Sequence, residues 1–416
     1  MLHNRFDQVL LFEDSIARSR RFLPLTYTRP ASLLRVGMFT MLERLCLLAE
    51  KEKVILHTSK LVAKAVADRQ QIPVNTFDPN KHTLFLNARA FLNGTLTMAL
   101  SRYEDDCALT TEDGSETLAM CYRKTPDVLR EQIEAGEAIT YRHPGKCIST
   151  PVKSFDSLWS MLHYNAQAIF EDVELAKSSG KMKSRYTGEV PGVLSAKPAN
   201  ISIHPTAQVG LGTVLDATDG PIVIEEGVRI FPNCTIMGPC VIGKDSLVKI
   251  GAKIYEGTTI GPVCKVGGEI ENSIVLSHSN KQHDGYLGHS YLGQWVNLGA
   301  DTNTSDLKND YSNVKVFPEN EEIDTGSLFV GLLMGDHSKS AINTQFNTGT
   351  VVGVSSNIFD AGFPPKWIPS FSWGGASELV SYRADKAIDV ARKVLQRRKL
   401  ELLPSEEELL KALAKV

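Results

Sequence analysis

Paired cysteines, an excess of either charge and long apolar runs are all missing from this sequence. Its seven cysteines, at 46, 107, 121, 147, 234, 240 and 264, are odd in number and form no CxxC pair. That excludes a disulfide framework and a zinc ribbon and implies reduced, mostly buried thiols. Lysine and arginine number 45 against 48 aspartates and glutamates, a net charge of −3. Such a balance gives no electrostatic footing for nucleic acid or an anionic membrane, and Arg397-Arg398-Lys399 reads as a solvated face. No segment has the length needed to span a bilayer, and the apolar run near the start, Val9–Phe12, is too short for a signal peptide. The expectation is a cytoplasmic protein. What is plentiful is core-forming material, 42% hydrophobic residues over 416 positions, enough for two or three packed domains.

The strongest pattern is a period of six. Ile224, Ile230, Ile236, Ile242, Val248, Ile254, Ile260 and Val266 hold it without a break. Ile203, Val209 and Leu215 precede them in the same spacing, and Leu292, Leu298, Phe346, Val352 and Ile358 resume it with offsets. A helix needs a period of 3.6 and a half-buried strand a period of 2. A strict six therefore predicts short strands joined by tight corners, with one inward aliphatic per side, which is a β-helix. Each coil buries a stripe that it cannot bury alone, so stability comes from stacking. The ladder is interrupted by polar residues between Lys281 and Asp310, and such a break on one face of a repeat array marks a site.

Ahead of the ladder the pattern changes. Gln8–Phe12, Lys53–Thr58 and His82–Phe91 read as strands, alternating with helices over Met41–Glu52 and Lys60–Asp68, as in a parallel α/β sheet. Cys107–Arg123 reads as a hairpin around Asp113-Gly114, Thr125–Gly136 as a capped helix and Ser157–Leu175 as a closing helix. This predicts an α/β domain over 1–175, a linker over 176–200, the β-helix over 201–375 and C-terminal helices over 376–416. Glu319–Thr325 reads as an exposed acidic loop, and the Pro- and aromatic-rich stretch Gly362–Gly375 as a strap that leaves the ladder.

Pro24-Leu25-Thr26…Arg29-Pro30 after the first strand resembles the PLTxxRP motif of sugar-1-phosphate nucleotidyltransferases. His283, Tyr286, Asn297 and Ala300 resemble the H-x-x-Y-L-G…V-N-x-G-A signature of hexapeptide acetyltransferases. Together they resemble a divergent bifunctional UDP-N-acetylglucosamine pyrophosphorylase/glucosamine-1-phosphate acetyltransferase family. The fold this implies is a nucleotidyltransferase-like, Rossmann-like α/β domain followed by a left-handed parallel β-helix, assembled as a homotrimer. The resemblance implies His283 as general base on the amine of glucosamine 1-phosphate, with acetyl-CoA as co-substrate and Tyr286 and Asn297 on the sugar. Asp306 stands where the family has asparagine, and Glu271 where it has lysine. Ala300 would lie along the coenzyme. Lys308 is a candidate for phosphate on the sugar, and Lys339 and Lys366 for phosphate on the coenzyme.

In the front half the resemblance implies a sugar phosphate and a nucleoside triphosphate, with Arg29, Arg35, Asn87 and Arg89 as nucleotide contacts. Glu13-Asp14-Ser15 and Arg18, Arg20 and Arg21 replace the family's glycine-rich phosphate cradle, Ala31 its lysine and Asn87 its metal-binding aspartate. Two readings stay open: a front half that joins the sugar 1-phosphate to UTP with Mg²⁺, or a non-catalytic, sugar-nucleotide-binding or regulatory subunit. A zinc hydratase is a third class. His278 and His283 form H-x₄-H, but such a site needs three nitrogen ligands and no histidine lies near Ile242 to complete it. No protein-held metal ligands are assigned.

Overall fold

The computed structural model describes residues 5–102, 106–182 and 190–415, so residues 183–189 of the expected linker lie outside the described residues. The front sheet runs, from edge to edge, Val54–Leu56, Gln8–Phe12, Thr83–Asn87, Thr117–Tyr122, Cys107–Thr111 and Cys147–Thr150. Its first three strands are parallel, as mainly apolar runs buried on both faces demand. The hairpin around Asp113-Gly114 then makes Thr117–Tyr122 antiparallel to both of its neighbours, so the sheet is mixed.

Helix α1 (Met41–Leu48) opens on a capping box between Thr40 and Glu43 and stops short of Glu52, where Lys51–Lys53 form a 3-10 turn. Helices α2 (Lys60–Gln70), α3 (Gly94–Ser101) and α4 (Asp127–Glu134) follow, and α5 (Leu158–Ser178) starts from a cap at Ser157.

Behind them lies a parallel β-helix of the left-handed kind. Short strands stack into three parallel sheets, and Ile224, Ile242, Ile260, Val275, Leu292, Met334, Val352 and Ile368 form one inward column. The offsets in the six-residue period have a structural cause. The coil after Ile260 is short, and the coil from Leu292 to Met334 carries an excursion. Two expectations change here. The acidic segment docks on the front domain, with Arg20 on Glu319 at 2.6 Å and on Glu321 at 2.5 Å. The Pro-rich strap stays in the ladder: Trp367–Ile368 pairs with Val351–Val352, and Ser372–Gly374 with Asn357–Ile358.

Helix α5 lies between the two halves. Asn165 accepts from the Gly37 amide at 2.6 Å and donates to the Gly257 carbonyl at 2.7 Å. Tyr291, fully buried in the β-helix, accepts from the Arg35 amide at 2.8 Å and donates to its carbonyl at 2.7 Å. Helices α6 (Ala384–Gln396) and α7 (Pro404–Leu413) return to the front, where Ile388, Leu409 and Leu410 join the core beneath α2.

Candidate functional site

One corner of the β-helix is built by stacked turns at Leu211, Asn233, Ile250-Gly251, His283-Asp284, Ala300-Asp301 and Ile342-Asn343. Backbone amides tie them together: Asp301 to the Asp284 carbonyl at 3.0 Å, and Asn343 to the Ala300 carbonyl at 2.8 Å. Asn233, Gly251, Asp301 and Asn343 sit there at φ of 61°, 70°, 56° and 59°. That left-handed region is open to Gly and tolerated by Asn and Asp, which is why those residues recur at the corner. His283 stands exposed on this ridge, and among the described residues its ring takes no hydrogen-bond partner. Beneath it Lys281 is 1% exposed, its ammonium donating to the His283 carbonyl at 2.8 Å and the Gly267 carbonyl at 3.2 Å.

Around the corner, the Tyr286 hydroxyl lies 2.9 Å from a carboxylate oxygen of Glu271 and 2.9 Å from one of Asp306. Burial and the two carboxylates push the Tyr286 pKa far up, so the phenol keeps its proton. His289 reaches the same Asp306 oxygen at 2.8 Å and stacks on Phe329. Burial raises the Asp306 pKa, but the bonds from His289 and Tyr286 outweigh it and hold the group below the usual carboxylate range.

The other expected residues are spread out. Asn297 lies on the adjacent sheet, bonded to Asn280, which also receives Arg398 at 3.1 Å. Lys308 donates to Ser312, Lys339 to the His337 carbonyl and Lys366 to Thr348. Burial lowers the Lys339 pKa to about 8, and lowers that of Lys366 with help from the Lys308 charge, so these last two ammoniums are neighbours. The corner thus brings His283 and Ala300 together and the next face Tyr286 and Asp306, while the three lysines stand apart from the corner.

In the front half every expected nucleotide contact is engaged within the protein. Arg29 pairs with Asp336 of the β-helix, and Arg35 binds Glu43 at 2.9 Å and the Met38 carbonyl. Arg89, with a fully buried side chain, bridges Asp14 at 2.6 Å and Glu116 at 3.0 Å. Asn87 donates to Asp14 and to the Thr117 carbonyl. Burial pushes the Asp14 pKa up, but the Arg89 hydrogen bond and charge prevail and lower it. Glu13 receives the Ala31 amide at 2.8 Å and Arg18 at 3.2 Å.

Arg18, Arg20 and Arg21 face a cleft of about 880 Å³ whose far wall is Glu319, Glu321 and Glu322. A cation on phosphates needs free hard oxygens. Here Asp14 is spent on Arg89, Asn87 offers no charge, and among the described residues no cluster of three His, Cys, Asp or Glu side chains could hold a metal. These side chains do not fit Mg²⁺.

Comparison with known proteins bears on both halves. Residues 9–181 match the family model described as sugar nucleotidyl transferase. The bifunctional protein GlmU of Methanococcus aeolicus is 30% identical over 196 residues, 47% of this chain and 43% of that protein. GlmU of Synechococcus elongatus is 27% identical over 244 residues, 53% of this chain and 48% of that protein. The chain thus spans less than half the length of these curated relatives. Similar solved structures include the Arabidopsis UDP-N-acetylglucosamine acyltransferase, at 13% identity and a TM-score of 0.25 over 50% of this chain and 78% of that one. The Bacillus cereus N-acyltransferase AntD with dTDP and coenzyme A gives 14% identity and a TM-score of 0.21 over 49% and 91%. Residues 9–181 thus match the sugar nucleotidyl transferase model, and about half of the chain is similar to GlmU.

Proposed function

We propose that the protein is a transferase of amino-sugar nucleotide synthesis whose β-helix acetylates glucosamine 1-phosphate from acetyl-CoA, with His283 as general base. The observation that carries this reading is the exposed imidazole of His283, left without a protein partner on the corner it shares with Ala300. An imidazole titrates near neutrality, which suits it to take a proton from an attacking amine. The amine nitrogen bonds to the thioester carbonyl carbon, His283 receives the proton lost by nitrogen, and the C–S bond breaks to release coenzyme A thiolate. His283 returns the proton to that sulfur. The developing oxyanion calls for a backbone N–H; those of Asn297, Leu298 and Gly299 donate to Ser338, Asn280 and Ser340, so this reading assigns the role to the Ala300 amide. Tyr286 and Asp306 would hold the sugar, and Lys308, Lys339 and Lys366 the phosphates.

The same corner exposes Leu211 at 68%, Ile250 at 63% and Ile342 at 69%. Exposed apolar side chains in line with a site suit contact between subunits. The reading is a homotrimer with His283 at the seam. For the front half, a sugar-nucleotide-binding or regulatory role is favoured over turnover with UTP by the Asp14–Arg89–Glu116 ion pairs, which occupy the groups that phosphate and cation would need. Two assays test these readings on the full chain: thiol release from acetyl-CoA on adding glucosamine 1-phosphate, and pyrophosphate release from UTP and the acetylated sugar phosphate. Thiol release without pyrophosphate is the expected pair of results. Pyrophosphate release would restore turnover to the front half.

A further inference from the structure

The column of inward residues behind the His283 corner runs Val209, Ile230, Val248, Val266 and then Lys281. Val266 and Leu298, on the coils before and after, lie in the aliphatic core, so a single ammonium occupies a rung meant for a hydrocarbon. A buried charge is costly unless it is well bonded, so a lysine here needs a reason beyond filling space. Its bonds supply one. One of its two acceptors is the carbonyl of His283 itself, and the other, Gly267, belongs to the preceding coil at the same corner.

The cation therefore clamps the turn that carries the imidazole to the coil below it. The carboxylates around it are Asp284 on its own turn, Asp301 on the next coil and Glu269 on the coil before, the last also 3.6 Å from Lys253. They favour the charged form, but burial outweighs them and lowers the Lys281 pKa to about 8.

We propose that Lys281 is the positioning residue for His283, holding the backbone of the catalytic turn from inside the β-helix. The inference rests on His283 being the base, and its test has one arm that does not depend on that. Full-length Lys281→Met, close in length but without donors, is compared with the wild type and with Lys281→Arg. In hydrogen exchange, amides of the 281–288 segment in Lys281→Met should lose protection roughly tenfold or more, with the rest of the ladder unchanged.

In acetyl transfer, kcat should fall by about 10- to 100-fold with KM for acetyl-CoA within about twofold, as expected when a base is misplaced and binding is not. Lys281→Arg should recover part of that loss. The wild-type kcat should also show an alkaline limb near pH 8 that Lys281→Met lacks. Unchanged exchange in the 281–288 segment overturns the inference whatever the activity. So does a kcat in Lys281→Met within twofold of wild type. Absence of acetyl transfer in the wild type overturns the reading of His283 instead and leaves the exchange result to decide the clamp. If Lys281→Met does not fold, Lys281→Gln, which keeps a donor without the charge, takes its place in both arms.

Discussion

Arg44 and Asp172 are each 1% exposed and meet through two hydrogen bonds, at 2.8 and 2.7 Å. Burial alone pushes the Asp172 carboxyl upward, and Arg44 with the Met38 amide opposes it. Removing one partner strands the other charge, which costs far more than the pair contributes. Arg44→Leu is expected to lose about 3–5 kcal/mol of stability, read as a lower urea midpoint at unchanged slope. A loss under about 1 kcal/mol would mean that water reaches Asp172. Arg29 and Asp336 make a comparable pair across the two halves. Sequence alone pointed Arg29 at phosphate because a guanidinium forks equally well onto phosphate and carboxylate. Which acceptor it meets depends on residues hundreds of positions away, and those are not legible locally.

At the scale of elements, α5 and the hairpin of Arg35–Val36 with Phe39–Thr40 join the domains. Gly37 sits between these two strands at φ 69°, where an added Cβ would come within 2.4 Å of an Asp172 oxygen and 2.9 Å of the Ala168 backbone. Gly37→Ala combines a disfavoured backbone with that overlap and should cost about 1–3 kcal/mol, seen as a lowered thermal midpoint. The ladder was legible because a repeat states its own period. The front strands and α2 were legible from alternating apolar runs. Lys281 was not, since a strict step of six from Val266 reaches Asn272, whereas the short coil places Lys281 beside Val266. The docking of the acidic loop on Arg20 was hidden for a different reason: charges read as solvated until the fold brings their partners up. His283, Tyr286 and Ala300 were expected from the resemblance to the acetyltransferase signature, which did not show that Asn297 falls on a different sheet from Tyr286.

For the whole molecule, pH should act through buried His57 and half-buried His278 and His337. Burial, with Arg18 nearby, lowers the His57 pKa to about 3, and burial with nearby cations lowers His278 to about 4 and His337 to about 3. In the unfolded chain each titrates near 6.5. Their stabilising effect is therefore fully present above that value and is lost as pH falls toward 4 and 3. The loss should approach about 1.4 kcal/mol per pH unit for each group, so denaturation midpoints should drop steeply between roughly pH 6 and 4. His57→Leu should flatten that slope. The exposed apolar ridge gives a second prediction: the double variant Ile250→Asp, Ile342→Asp should dissociate the proposed trimer in light scattering while leaving the circular dichroism of the β-helix intact.

Whether the His283 corner transfers an acetyl group is read from amine-dependent thiol release from acetyl-CoA by the full chain and by His283→Ala. Release is expected with glucosamine 1-phosphate in the wild type, with a fall in kcat of about 100-fold or more in the variant and the fold unchanged. Equal rates in the two proteins, or no amine-dependent release with any amino-sugar phosphate, would contradict acetyl transfer at this corner and leave the sugar-nucleotide-binding regulatory reading in its place.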